Sequence, residues 1–239
     1  MKVQIFVPCF VDQLFPQTAF NMVKVLEKAG CTVEYNPSQT CCGQPAFNAG
    51  FWDESKDVCT KFIKDFSGDD FIVAPSASCV GFVRNYYMKM FDNSSHHNEV
   101  KQLQKRIYEF SDFMVNVLNI ENVGASLHTK ATYHDSCAAL RECKIKKEPR
   151  QLLSNVSGLQ LVEMNEVETC CGFGGSFAVK FEPISIGMAD QKVINALDTG
   201  AECIISTDLS CLMHIEGYIR HKKINLQAMH IADVLASGY

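Results

Sequence analysis

The sequence predicts an α/β protein: two tandem Rossmann-like units with parallel sheets, related by pseudo-twofold symmetry. Three observations predict it. The tetrapeptide Thr40-Cys41-Cys42-Gly43 recurs as Thr169-Cys170-Cys171-Gly172. Each copy stands in the same frame, with one cysteine ahead after an apolar run and one behind: Cys9 and Cys79 in the first, Cys137 and Cys211 in the second. Short apolar runs also alternate with amphipathic segments in both halves, the pattern of parallel strands joined by crossover helices. A repeat at near-constant offset means one unit present twice.

The elements follow in order. Residues 2–8 read as a buried strand, followed by a helix with Phe20, Val23 and Leu26 on one face that closes at Gly30. A second strand spans 31–35, and 36–39 turn into the first cysteine pair. A helix over 52–66 ends at Gly68, a third strand takes 71–74, and a helix runs from about 80 to 91. After a polar break at 92–98, Val100, Leu103, Ile107, Phe110, Met114 and Val117 recur at helical steps, which predicts one long connecting helix. The second half repeats the plan: strand 130–134, helix 147–154, strand 159–164, helix 183–199, strand 203–206, and helices near 210–220 and 230–236. The expected division is a first unit over 1–92, a helical connector over 93–127 and a second unit over 128–239.

Composition narrows the function. The 239 residues are 47% hydrophobic and 21% charged, enough apolar material for real cores. A net charge of −5 argues against nucleic acid as a partner. No apolar run approaches a membrane span, and no secretory leader precedes the first strand, so a cytoplasmic protein is expected. Twelve cysteines in a reducing compartment point to metal binding or redox chemistry over structural disulfides.

The cysteine frame limits which chemistry. Cys9, Cys79, Cys137 and Cys211 each fall just after a predicted strand, where open parallel sheets gather ligands. Zinc sites are usually built on C-x-x-C-type spacings, and cubane ferredoxin sites on closely spaced runs of cysteines. Neither occurs here. An adjacent pair suits a polynuclear centre, because its two thiolates can bind different irons. Soft thiolates exclude magnesium and calcium. From the residues alone three readings stay open: an iron–sulfur centre, a zinc-stabilised structural or assembly protein, and a metal-free vicinal-dithiol oxidoreductase. Gly172, Gly174 and Gly175 form a glycine-rich loop, but it follows a cysteine pair and not a first strand, so it reads as a cluster loop rather than a dinucleotide cradle.

In these motifs the chain resembles the cysteine-rich (CCG-domain) family. Thirty-one residues separate Cys9 from Cys41, 36 separate Cys42 from Cys79, and 32 separate Cys137 from Cys170. The runs Cys170-Cys171-Gly172-Phe173-Gly174-Gly175-Ser176-Phe177-Ala178 and Ser210-Cys211-Leu212-Met213-His214 are most similar to its free-standing, two-copy lactate-utilization branch. Relatives include the B subunit of heterodisulfide reductase and the glycolate oxidase iron–sulfur subunit. The resemblance implies an iron–sulfur electron-transfer subunit of a multi-subunit system that oxidises L-lactate, a 2-hydroxy acid, to pyruvate. It implies ligation by Cys9, Cys41, Cys42 and Cys79, and by Cys137, Cys170, Cys171 and Cys211, with Gly43 and Gly172 beside the clusters. It further implies one or two 4Fe-4S clusters per chain, and partner subunits including a ferredoxin-type iron–sulfur protein. The family's closing C-x-x-C departs here to a single cysteine. The vacancy is Ser76 and Asp208 when aligned on Ser-Cys, or Phe82 when aligned on spacing. Each site thus offers four thiolates, which implies one conventional cluster rather than a noncubane double cluster.

The remaining residues have plainer readings. Cys31, Cys59, Cys143 and Cys203 read as packed structural thiols, although the basic stretch 141–150 would depress the Cys143 pKa. His134 and Asp135 ahead of Cys137, and His214 after Cys211, read as polar packing beside the cysteines, with a ligand or proton-carrier role as the sharper alternative for the histidines. Asp208 reads equally as a substitute ligand or a helix N-cap. The run Arg141, Lys144, Lys146, Lys147 and Arg150 reads as a solvated face or, failing that, a docking patch for an acidic electron-transfer partner. His96 and His97 read as linker, and Phe173, Phe177 and Phe181 as core shielding the site.

Overall fold

The structure, a computed structural model, describes residues 1–238. It contains two four-stranded, all-parallel sheets of identical topology. The first comprises β1 (Lys2–Ile5), β2 (Thr32–Tyr35), β3 (Phe71–Ala74) and β4 (Ile107–Glu109), in the order β2-β1-β3-β4. The second comprises β5 (Ser126–Tyr133), β6 (Ser157–Leu161), β7 (Cys203–Ser206) and β8 (Gln227–His230), in the order β6-β5-β7-β8. In the first half the helices are α1 (Cys9–Leu14), α2 (Pro16–Lys28), α3 (Gln44–Asn48), α4 (Trp52–Asp65), α5 (Ala77–Phe91), α6 (His97–Arg106) and α7 (Phe110–Asp112). The second carries α8 (Lys147–Ser154), α9 (Ser176–Lys180), α10 (Glu182–Leu197), α11 (Leu209–Lys222) and α12 (Ile231–Leu235). Single π-turns occupy Phe113–Val117 and Ala138–Cys143.

Strand alternation divides the core. Val3, Ile5 and Val7 face one way, into a core they share with Ala131, Tyr133, Cys203 and Ile205 of the other half. Phe6, Ile72 and Ala74 face the opposite way, into a core built mostly by the first half and joined by Ala139, Cys143 and Ile145, and Ile204 faces a separate core of the second half. The halves also interlock outside the sheets. Helix α2 packs on α12, and Thr18 and Asn21 donate hydrogen bonds to Asp233 at 2.9 and 2.8 Å. Ser76 and Asp208 occupy equivalent places in the repeat and pair with each other in an antiparallel bridge.

Two expectations need correction. The run from Val100 is not one helix: α6 ends at Arg106, and β4 then adds to the edge of the first sheet before the chain turns helical again. Steps of three and four cannot reveal a three-residue strand whose neighbours on both sides are helical. Strand β8, ahead of the expected last helix, is a further element that the apolar pattern does not mark. Each of these fourth strands ends on a buried polar side chain that caps the next helix. Glu109 accepts from Ser111 N at 2.8 Å and Asp112 N at 3.2 Å, and the His230 ring accepts from Ala232 N at 3.1 Å.

Candidate metal centre

Each of the four repeat-frame cysteines outside the pairs lies at the start of a helix or helical turn. Cys9 is the first residue of α1, and Cys137 immediately precedes the π-turn at 138. Cys79 lies in the first turn of α5, behind the N-cap Ser76, and Cys211 in that of α11, behind the N-cap Asp208. The vicinal pairs sit in tight loops closed by glycine. Gly43 and Gly172 adopt φ of 91° and 94°, a left-handed conformation that a Cβ disfavours. A Cβ at Gly43 would meet Cys59 Sγ at 2.7 Å, and one at Gly172 would meet the Ser185 carbonyl oxygen at 2.6 Å. This geometry lets each glycine N–H donate back to the first sulfur of its pair, Gly43 N to Cys41 Sγ at 3.3 Å and Gly172 N to Cys170 Sγ at 3.4 Å.

The fold thereby assembles two thiol quartets. In the first, Cys42 and Cys79 lie 3.4 Å apart, sulfur to sulfur, and Cys41 hydrogen-bonds both Cys42 and Cys9. In the second, Cys170 hydrogen-bonds Cys137 and Cys171, and Cys171 reaches Cys211. Hydrogen bonds from neighbouring thiols, reinforced by the glycine N–H, hold Cys41 and Cys170 far below the usual thiol range. The same pairings, together with burial, push Cys9, Cys42, Cys137 and Cys171 upward. All eight cysteines line one cavity of about 680 Å³, with Arg141, Glu142 and Phe173 also on its wall.

Several other expectations are now decided. Asp208 is an N-cap: it accepts from Ser210 N at 3.3 Å and Ser210 Oγ at 2.6 Å. It also accepts from Ser78 N at 2.9 Å, tying the start of α5 to the start of α11. Asp135 pairs with Arg150 through two 2.9 Å contacts. Arg150 also reaches Glu163, and Lys146 pairs with Glu168, so part of the basic run is neutralised internally. His214 contacts Ser185 Oγ at 3.0 Å and so supports the Gly172 loop. Burial, not the basic stretch, dominates at Cys143 and pushes its pKa upward. Phe181 is 51% exposed, and Phe177 packs against it on the surface, so the aromatic trio is not a core.

His134 is different. It is fully buried, neither ring nitrogen has a hydrogen-bond partner, and a ring nitrogen lies within 4.8 Å of the sulfurs of Cys171 and Cys211. Burial, then the charge of Lys192, lowers its pKa to about 3 and keeps the imidazole neutral. Lys192 itself escaped the sequence reading. It is 1% exposed and donates to the carbonyls of Glu166 at 2.7 Å and Val167 at 3.1 Å. Its spacing from Ser185 and Ala189, on the buried stripe of α10, was the available signal.

The donor set fits a soft metal or an iron–sulfur cluster. Four neighbouring thiols cannot all ionise without a cation, and here they share protons unevenly instead, as a ligand set does before metal replaces the protons. An imidazole with orphaned nitrogens beside the second quartet is a further donor of the same class. The cysteine-rich domain (CCG) family model matches residues 3–84 and 131–216, one copy per half. The chain belongs to the CCG cysteine-rich domain family. Among curated relatives it is 44% identical to "Lactate utilization protein A" of Bacillus subtilis, over 99% of this chain and 100% of that protein. It is 43% identical to the protein of that name from Halalkalibacterium halodurans, covering 98% and 96% of the two chains. It is 41% identical to "Lactate utilization protein A 2" of Bacillus cereus strain Q1, covering 100% and 99%. A solved structure of a hypothetical protein from Helicobacter pylori superposes on the whole chain with a TM-score of 0.60 at 12% identity. This chain spans 49% of that one, and the likeness is one of fold. Among the described residues no helix is long and apolar enough to cross a membrane.

Proposed function

We propose that this protein is the iron–sulfur electron-transfer subunit of a multi-subunit system that oxidises L-lactate to pyruvate. The observation that carries the reading is the convergence of eight repeat cysteines as two quartets on one cavity wall, in a chain whose relatives are named for lactate utilization. Cys9, Cys41, Cys42 and Cys79 would hold one 4Fe-4S cluster, and Cys137, Cys170, Cys171 and Cys211 the other. When bound, such a cluster supplies a reversible one-electron store.

The chain's own residues prepare that role. The glycine N–H groups and the helix starts spread the negative charge of the thiolates, which lowers the cost of burying them. Half-buried Phe173 on the cavity wall limits water around the second quartet. Electrons would enter and leave through partner subunits, among them a ferredoxin-type iron–sulfur protein. The cavity mouth, where Arg141 and Glu142 lie, is the proposed contact.

Iron and acid-labile sulfide, measured on anaerobically purified protein with its visible spectrum, test the reading. It expects about four or eight irons per chain, matching sulfide and a brown charge-transfer band. Zinc alone would support a structural role. Intact thiols without metal, and activity that survives iron removal, would support a vicinal-dithiol oxidoreductase.

A further inference from the structure

The two quartets are alike in sulfur but not in what stands behind them. Repeat equivalence is set by hydrogen bonds, not by alignment alone. Phe6 N donates to Val73 O at 2.9 Å at the end of β1, and His134 N donates to Ile205 O at 2.8 Å at the end of β5. Phe6 and His134 are therefore counterparts. Ser55 Oγ donates to Gly43 O at 3.0 Å from α4, and Ser185 Oγ donates to Gly172 O at 2.8 Å from α10. Two helical turns beyond each serine stand Phe62 and Lys192, which makes them counterparts too.

The first quartet is thus backed by an aromatic pair, Phe6 and Phe62, with ring centroids 4.8 Å apart and nearly perpendicular. The second is backed by an imidazole and an ammonium. Both are buried; burial lowers the Lys192 pKa, and Cys171, Asp135, Cys170 and Cys211 oppose that shift by favouring its charged form. Asp208 works the other way, its charge pushing the Cys137 and Cys211 thiols upward, but its carboxylate is already held by Ser78 N, Ser210 N and Ser210 Oγ. Asp135 is paired with Arg150. A cluster gains negative charge on reduction, and its potential rises with nearby positive charge and with hydrogen bonds to its sulfurs. An aromatic wall supplies neither.

We infer that the two sites are electronically unequal. His134 and Lys192 act as positioning and tuning residues that make the second cluster the more easily reduced of the two. The inference rests on the iron–sulfur reading above and assigns the direction of its internal asymmetry.

The test is a potentiometric titration of the anaerobic full-length protein, followed by electron paramagnetic resonance. The second couple is identified as the one that Cys170→Ser abolishes. Lys192→Met is expected to shift that couple's reduction equilibrium about tenfold toward the oxidised form, ~59 mV for one electron, and to leave the other couple in place. His134→Leu is expected to shift the same couple in the same direction, and it keeps the inference testable should Lys192→Met fail to fold. The unmoved first couple then serves as the internal control for folding. Two clusters whose potentials ignore both substitutions, or shift together, overturn the inference and leave the iron–sulfur reading standing. Wild-type protein without iron and sulfide overturns both.

Discussion

Gly43 and Gly172 explain why glycine follows the cysteine pair in both halves. Each combines a left-handed φ with a neighbour that a Cβ would strike, but the neighbours differ. Near Gly43 the closest atom is the side-chain sulfur of Cys59, whereas near Gly172 it is a backbone carbonyl of α10. Gly172→Ala should therefore destabilise the protein by about 2–4 kcal/mol and Gly43→Ala by less. Urea denaturation of the two variants compares them directly, and equal losses would show that backbone strain alone sets the cost. The quartets lead to a second expectation. Cys41→Ser should lose the metal of the first site only and Cys170→Ser that of the second, read as halved iron on two-site protein. Cys59→Ser should keep full iron, because Cys59 donates to the Cys42 carbonyl at 3.4 Å, as serine can, and lies outside the quartet.

At the scale of elements, the fourth strands carry a buried polar cap each, and one of them titrates. Burial pushes the Glu109 carboxyl up to about 8, against the hydrogen bonds from Ser111 and Asp112 that favour its ionised form. An acid with a raised folded pKa holds its proton in the folded state while the unfolded chain has released it. Between the ordinary carboxyl range and about pH 8, the folded state thus binds more protons, and this group's contribution to stability falls as pH rises. Glu109→Gln should remove that slope. The difference in urea midpoint between variant and wild type should grow in the variant's favour from pH 5 to pH 8. A constant difference would mean Glu109 is ionised throughout. The strand itself was illegible because Ile107 and Phe110 continue a helical rhythm across three residues of extended chain.

The whole molecule is two units around one shared core, which joins β1 and β5 residues in a single cluster. It should unfold as one cooperative unit. The sole tryptophan, Trp52, belongs to the first half and reports on it alone, while far-ultraviolet circular dichroism reports on both. Coincident denaturation curves are expected, and separated ones would show that the halves fold independently. Asp208 is the polar counterpart of that shared core. Asp208→Ala removes the cap of α11 and the acceptor for Ser78 N together, a loss of about 2–3 kcal/mol, where an isolated cap costs about 1.

Read along the chain, the repeat and the apolar periodicities were enough for the α/β class, the doubling and the eight cysteines of the frame. Spacing and periodicity are local properties, and local properties survive in a list of residues. Three things needed the folded chain. The quartets open into one cavity where the segments after β3 and β7 meet at Ser76 and Asp208, a contact between residues far apart in sequence. His134 and Lys192 stand together because a strand end and a helix stripe face the same core, which depends on the packing of both. The roles of Asp208 and His214 were settled by the partners that surround them, and side-chain partners are chosen only when distant segments come to rest against each other.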